Sequence, residues 1–300
     1  MLKINKYSLI KNAAVLGVAS LSLSLIATSS SFSDGHIYGE NNPVTVKGYK
    51  GSKTDSTAYT GQMARQLQHN SLKKIVSKGN PSDPTSNTLN KMLNYFENKD
   101  KTKSMAILDP KSSSKFPVKQ KMVGEISTGS NLAGKADGRV QLSWPNNMTG
   151  ADVIRFMIKK ASKISGGVDM KNGMNYPQLI SKYTMGAVLY HQACDNYLDE
   201  KMTASNKPND KPYKKGAYYT GKEHSWDEAF GYWGAAAHTM TLSAQQSYDV
   251  AKKKDLKAAD FNKDGVVDLY KEMTYGHAYY ASAFDRGGKT DYLKTVTKAF

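Results

Sequence analysis

The stretch from Tyr218 to Met240 constrains the fold of this chain most. At about 100° per residue, His224, Asp227, Glu228, Gly231, Ala235 and His238 share one side of a helix. Trp226, Phe230, Trp233, Ala237 and Met240 share the other. A surface helix sets its apolar stripe against lysine and glutamate. Here a stripe of large aromatics is set against potential ligands spaced by residues with almost no side chain. That pattern fits a central helix, packed by its aromatics, continuing to about Lys253 and facing a narrow polar space.

The start of the chain reads differently. Lys3, Lys6 and Lys11 precede an apolar run from Ala13 to Ala27 and then small residues, the pattern of a secretory signal cleaved near Ser29 or Ser33. The run is short for a membrane-spanning helix, so residues 1–33 are expected to be a signal and the mature chain periplasmic or secreted, with no transmembrane segment. Residues 34–58, rich in Gly, Asn, Ser, Thr and Lys, read as a flexible leader. Losing Lys3, Lys6 and Lys11 would take the formal net charge from +16 to +13. The excess is lysine, with arginine only at 65, 139, 155 and 286. Nucleic-acid surfaces favour the arginine fork, so the charge reads as a solvated surface, or as attraction to an acidic envelope polymer, and not as a nucleic-acid site. Cys194 is the sole cysteine. It excludes an intrachain disulfide and reads as a small packing residue.

Helical spacing recurs along the rest of the chain, 59–300. Met63, Leu67, Leu72, Ile75 and Val76 predict a helix over about 60–78, and Leu89, Met92, Leu93 and Phe96 another over about 86–99. Residues 109–144 hold two prolines and four glycines without a period and read as a long ordered loop, and two bundles could divide near 109–148. Thr149 and Asp152 resemble a capping box opening a helix that Gly166-Gly167 closes, and a long helix is expected over about 176–202. Leu293, Val296 and Phe300 continue the pattern to the last residue without a cap, which reads as a chain ending in mid-helix. Strand signals are nearly absent. The expected fold is all-α, built from antiparallel helical bundles.

Two motifs carry chemistry. Asp260, Asn262, Asp264, the Val266 carbonyl and Asp268 occupy the positions of oxygen ligands in an EF-hand-like loop, with Gly265 at the sharp turn. The usual twelfth-position carboxylate is replaced by Lys271, with Glu272 one residue late; calcium is the expected ion, as a structural staple, and a capping turn is the alternative. On the central helix, His224 and Glu228 are four residues apart, with Asp227 on the border of the same face. His191 and Asp195 repeat the spacing on the preceding helix. Two such pairs on facing helices would suit iron or zinc, or form a buried polar layer. His238 lies about 21 Å along the axis from His224 and cannot share that ion. His277, among tyrosines, reads as a core or lining residue.

The segment Thr220 to Gly234, with Tyr59 to Arg65 and the loop through Glu272, resembles an imelysin-like secreted bacterial helical family of unknown function. The imelysin hallmark is Gly-x-His-x-x-Glu. Here Gly221 stands one residue further from His224, and the acids after it are Asp227 and Glu228. The resemblance implies two helical bundles, an envelope location, a role around iron or other metal acquisition, and a final helix that continues past Phe300. Together these features point to a non-enzymatic binding protein for a metal ion or small ligand. A metal-dependent hydrolase with Glu228 or Asp227 as base competes with it, against the lack of a His-Glu-x-x-His run or Gly-x-Ser-x-Gly elbow. A lysine-rich binder of acidic envelope polysaccharide is the third reading.

Overall fold

The residues that the computed structural model describes, 37–83, 85–99 and 105–300, hold nine α-helices. They are α1 (Thr60–Val76), α2 (Asn87–Glu97), α3 (Gly150–Ser162), α4 (Tyr176–Thr184), α5 (Gly221–Trp233), α6 (Ala244–Ala251), α7 (Leu256–Ala259), α8 (Gly276–Asp285) and α9 (Tyr292–Ala299). One short antiparallel pair, β1 (Val168–Asp169) and β2 (Met174–Asn175), sets Val168 opposite Asn175. The fold is a mainly helical bundle. No helix among the described residues is long and apolar enough to cross a membrane. The signal expected over 1–33 lies outside the described residues.

Local chemistry sets the helix starts. Thr149 and Asp152 exchange the two bonds of a capping box at α3, and Thr220 with Glu223 does the same at α5. Each satisfies two orphan amides, and such a cap contributes about 1 kcal/mol. The long helix expected over 176–202 forms, but in two registers. It is α-helical as α4, then widens to π-helical bonding from Met185 to Lys201.

The central helix is shorter than its periodicity predicted. It does not reach Lys253 but ends at Gly234, whose φ of 84° is left-handed. A Cβ there would lie 2.8 Å from Gln66 Nε2 and 2.9 Å from the Tyr275 carbonyl, so glycine both turns the chain and admits two neighbours. Residues 235–243 then run irregularly around a 3₁₀ turn, Thr239–Thr241, before α6. His238 is therefore not on the face of α5, and its helical distance from His224 no longer applies. Its ring is buried, with Nε2 on the Ala258 carbonyl at 2.8 Å.

Two hydrophobic cores share α1 and α5. One gathers Tyr59, which precedes α1, and Met63 and Leu67 of α1 with Phe116, Phe230, Tyr275 and Leu293. The other gathers Leu72 and Val76 with Phe96, Ile154, Val188 and Tyr232. The loop predicted over 109–144 is irregular, with 3₁₀ turns at Val123–Glu125 and Ala133–Lys135. It lies against both cores, with Phe116 and Val123 in one and Leu132 in the other. The Lys119 amide donates to the Val267 carbonyl, and the Leu132 amide to that of Phe96, each at 3.0 Å.

Residues 37–58 are not a loose leader. Tyr38 stacks on Phe230, with ring centroids 3.5 Å apart, and its amide donates to the Ala237 carbonyl at 2.8 Å. Thr45 Oγ1 donates to Glu223 at 2.8 Å. These side chains lie against α5, 178 to 192 residues on, a distance no local pattern could disclose.

Candidate functional site

Helix α5 is held on three sides. Lys222 caps the preceding π-helix by donating to the carbonyls of Lys201 at 3.1 Å, Ala204 at 2.9 Å and Met202, a cation at a helix C-terminus where the dipole favours it. Gly231 lets α1 approach, since a Cβ there would sit 2.6 Å from that of Gln62. Trp226 Nε1 donates to the Phe300 carbonyl at 3.2 Å. One edge of α5 stays open over a cleft of about 490 Å³ walled by residues from 53–65, 127–130, 218–228 and 270–271.

His224 and Glu228 line this cleft side by side, His224 Nε2 lying 3.7 Å from Glu228 Oε2. The imidazole stacks on Tyr219 at 4.5 Å and packs against Tyr213 at 4.9 Å. Its Nδ1 is buried with no hydrogen-bond partner, and the Ala58 backbone near the ring favours its protonated form. Burial depresses the His224 pKa, opposed mainly by the Glu228 carboxylate, so the ring is neutral at neutral pH and able to accept or to ligate. Glu228 accepts from Gln62 Nε2 at 2.6 Å.

Asp227, expected on the same face, turns the other way. Its Oδ1 accepts from the Tyr38 hydroxyl at 2.6 Å and its Oδ2 from the Ala58 amide at 2.8 Å. It is 3% exposed and does not line the cleft. Burial raises its pKa to about 7, against the opposing pull of those two donors. Asp227 thus holds residues 38 and 58 on α5.

The second expected pair is not across from the first. His191 Nδ1 and Asp195 Oδ2 meet at 3.0 Å, as their spacing predicted. Asp195 then pairs with Arg139 Nη2 at 2.9 Å, and Arg139 also binds Asp137. This is a half-exposed ion-pair network outside the cleft lining, so the two helix pairs do not make one four-ligand centre. Among the described residues, no three His, Cys, Asp or Glu side chains converge as a metal site. Cys194 is partly buried, and burial raises its pKa. His277, as expected, is a packed residue whose Nε2 lies 3.2 Å from the Met185 carbonyl.

The loop from Asp260 is a tight turn closed by its own side chains. Gly265 has a φ of 86°, and Val267 is buried and bridges to Val118. Glu272 folds back as its late position required. Its Oε1 accepts from the Phe261 and Asn262 amides at 3.1 Å each, and its Oε2 from the Asp268 amide at 2.7 Å. The side chains of Asp260, Asn262 and Asp264 accept amide protons of the same loop. The donors are all oxygen, as calcium requires, but they are turned onto backbone amides. Helix α8 begins only at Gly276, not directly behind the loop.

Sequence reasoning overlooked Gln62, Arg65, Tyr38 and the 127–130 turn. A signal existed in α1, where Gln62, Gln66, Gln68 and His69 are all buried. A helix polar on several sides yet rich in core residues must face other helices.

A bundle with one polar, aromatic-walled cleft is a scaffold class that many binding functions share. This chain belongs to the family described as "Domain of unknown function (DUF4856)", whose model matches residues 40–276. No curated protein and no solved structure matches it.

Proposed function

We propose that this chain is a non-enzymatic binding protein of the cell envelope whose ligand, a metal ion carried with its own ligands, seats over His224 and Glu228. The observation that carries the reading is the neutral His224, its Nδ1 unpartnered, set 3.7 Å from a carboxylate on the wall of a cleft of about 490 Å³. A catalytic metal needs three protein ligands and an open position, whereas His224 and Glu228 supply two, so an ion held here would bring the rest of its coordination with it. Binding is favoured over hydrolysis because Asp227, a candidate base, is engaged by Tyr38 and Ala58, and Glu228 by Gln62. The envelope location rests on the pattern over residues 1–33, and the link to metal acquisition on the likeness to imelysins. Calcium at Asp260, Asn262, Asp264, Val266, Asp268 and Glu272 is part of the same proposal, as a staple; its side chains would have to turn from the loop amides to the ion.

The test is elemental analysis of untagged protein purified from a periplasm, beside His224→Ala and Asp264→Ala. Iron or zinc lost only in His224→Ala, with calcium lost only in Asp264→Ala, is the expected result. No iron or zinc in the unaltered protein, even after addition of ferric citrate, would overturn the metal-linked reading. Peptide or ester hydrolysis abolished by His224→Ala would replace it with an enzyme.

A further inference from the structure

The other half of the cleft has a charge balance that the His224–Glu228 pair does not explain. Arg65 lies on the wall with Lys53 and Lys271. Its Nε donates to the Asn131 carbonyl at 2.9 Å, which fixes the guanidinium. Among the described residues no carboxylate lies within ion-pair distance of it, whereas Arg139 and Arg155 each have two. Lys135 and Lys201, both half-buried, lie close enough to Glu228 to feel its charge. The Lys135 pKa is depressed, first by burial and then by Arg65; that of Lys201 is depressed by burial and by Lys135 and Lys207, against the pull of Glu228. Three cations on the wall, Lys53, Arg65 and Lys271, therefore face two wall carboxylates, Asp55 and Glu228, and Lys135 and Lys201 add further positive charge nearby against Glu200. Asp55 is already accepting from the amide and hydroxyl of Thr57.

Neutral donors line the same end. Ser127 and Ser130 hydroxyls meet at 3.1 Å, in a turn whose Gly129 has a φ of 74°. The first turn of α1 opens beside them, with no side-chain cap and no acidic residue. The Tyr232 hydroxyl, fully buried, lies against the Arg65 guanidinium and within reach of the Glu228 charge. Packing cations together against partial burial is unfavourable unless a counter-charge joins them, and a fixed guanidinium fork with hydroxyl donors matches a planar or tetrahedral oxyanion.

We propose that the Arg65 end of the cleft is an oxyanion subsite that receives a carboxylate or phosphate group of the ligand, while the His224 end receives the rest. The inference rests on the cleft being the ligand seat but not on any metal. It makes the ligand anionic, and for a metal complex it selects chelates with free carboxylates or phosphates.

The experiment is calorimetric titration of the EDTA-treated mature chain with citrate, inorganic phosphate and uncharged galactose. Citrate or phosphate should bind and galactose should not; whichever of the two binds more tightly identifies the group. Arg65→Gln should weaken that binding about tenfold, and raising salt from about 50 to about 500 mM should weaken it several-fold. If Arg65→Gln fails to give a cooperative thermal transition, Lys53→Gln with Lys271→Gln, both on the exposed rim, should cost about threefold. Anion affinity unchanged in those variants, galactose binding as well as citrate, or no binding of either anion at low salt and millimolar concentration would overturn the subsite. Anion binding that survives while no sample carries iron or zinc would sink the metal reading and leave the subsite standing.

Discussion

Asp227 should make the stability of this protein fall as pH rises through the range where most proteins are steady. Its carboxyl is buried, and its pKa of about 7 stands above the ordinary 3.8. The unfolded chain therefore releases this proton near pH 4, while the folded chain keeps it until about pH 7. Between those values the unfolded state binds fewer protons, so stability declines with rising pH and levels off above pH 7. From pH 5 to pH 7 the loss is two units at about 1.4 kcal/mol each, about 3 kcal/mol. Asp227→Asn removes the titration. Its amide can still accept from Tyr38, but its NH₂ would face the Ala58 amide that Oδ2 now accepts, leaving buried donors unpaired at a cost of about 1–3 kcal/mol. The variant should thus be the weaker protein at pH 5 and should draw level with, or pass, the unaltered protein at pH 8. Urea unfolding of both proteins at half-unit intervals from pH 5 to pH 8 measures the difference, and other titrations common to both cancel. Two curves that stay parallel within about 0.5 kcal/mol would refute the argument that this carboxyl is held protonated by burial.

His69 should act in the opposite direction: burial lowers its pKa to about 4 from the ordinary 6.5, so stability is lost as pH falls from about 6.5 to about 4, by about 3 kcal/mol. Unfolding of Asp227→Asn with and without His69→Gln should show about 3 kcal/mol less of that loss without His69, since His224, His238 and His277 titrate in the same direction; an equal loss in both would assign it elsewhere. Gly231→Ala should destabilise by about 1–3 kcal/mol, because the new methyl would meet Gln62 Cβ at 2.6 Å and Tyr59 Cβ at 3.1 Å. It should also loosen the Gln62–Glu228 bond; a denaturation midpoint equal to that of the unaltered protein would show that α1 can shift without cost.

The Thr149–Asp152 box appeared where its pattern stood, because a capping box involves only residues three apart. The expected helices over 60–78 and 86–99 formed close to their predicted limits, because their apolar stripes are continuous. The extension of the central helix to Lys253 did not form. Ala235, Ala236 and Ala237 suit a helix, yet Gly234 turns the chain where Gln66 and Tyr275 occupy the space that a continuing helix would need. Local preference there was weaker than packing. The site divided in the same way. Spacing placed His224 beside Glu228 and His191 beside Asp195 correctly, but gave no means of knowing that Arg139 would take the second pair.

Helical periodicity, cap chemistry and the lone cysteine were thus settled by the sequence itself, since each depends on residues within a turn or two of one another. Which of those local pairs share a cleft was decided by tertiary structure. Asp227 shares a helix face with His224 and Glu228 in projection, yet Tyr38 and Ala58, 189 and 169 residues away, draw its carboxylate out of the cleft. Arg65 reads as one more polar residue of α1 until folding sets it on the same cleft wall as Glu228. A side chain's neighbours along a helix follow from 3.6 residues per turn, but its partners across the bundle follow from where the chain returns, and that return is a property of the whole packed core.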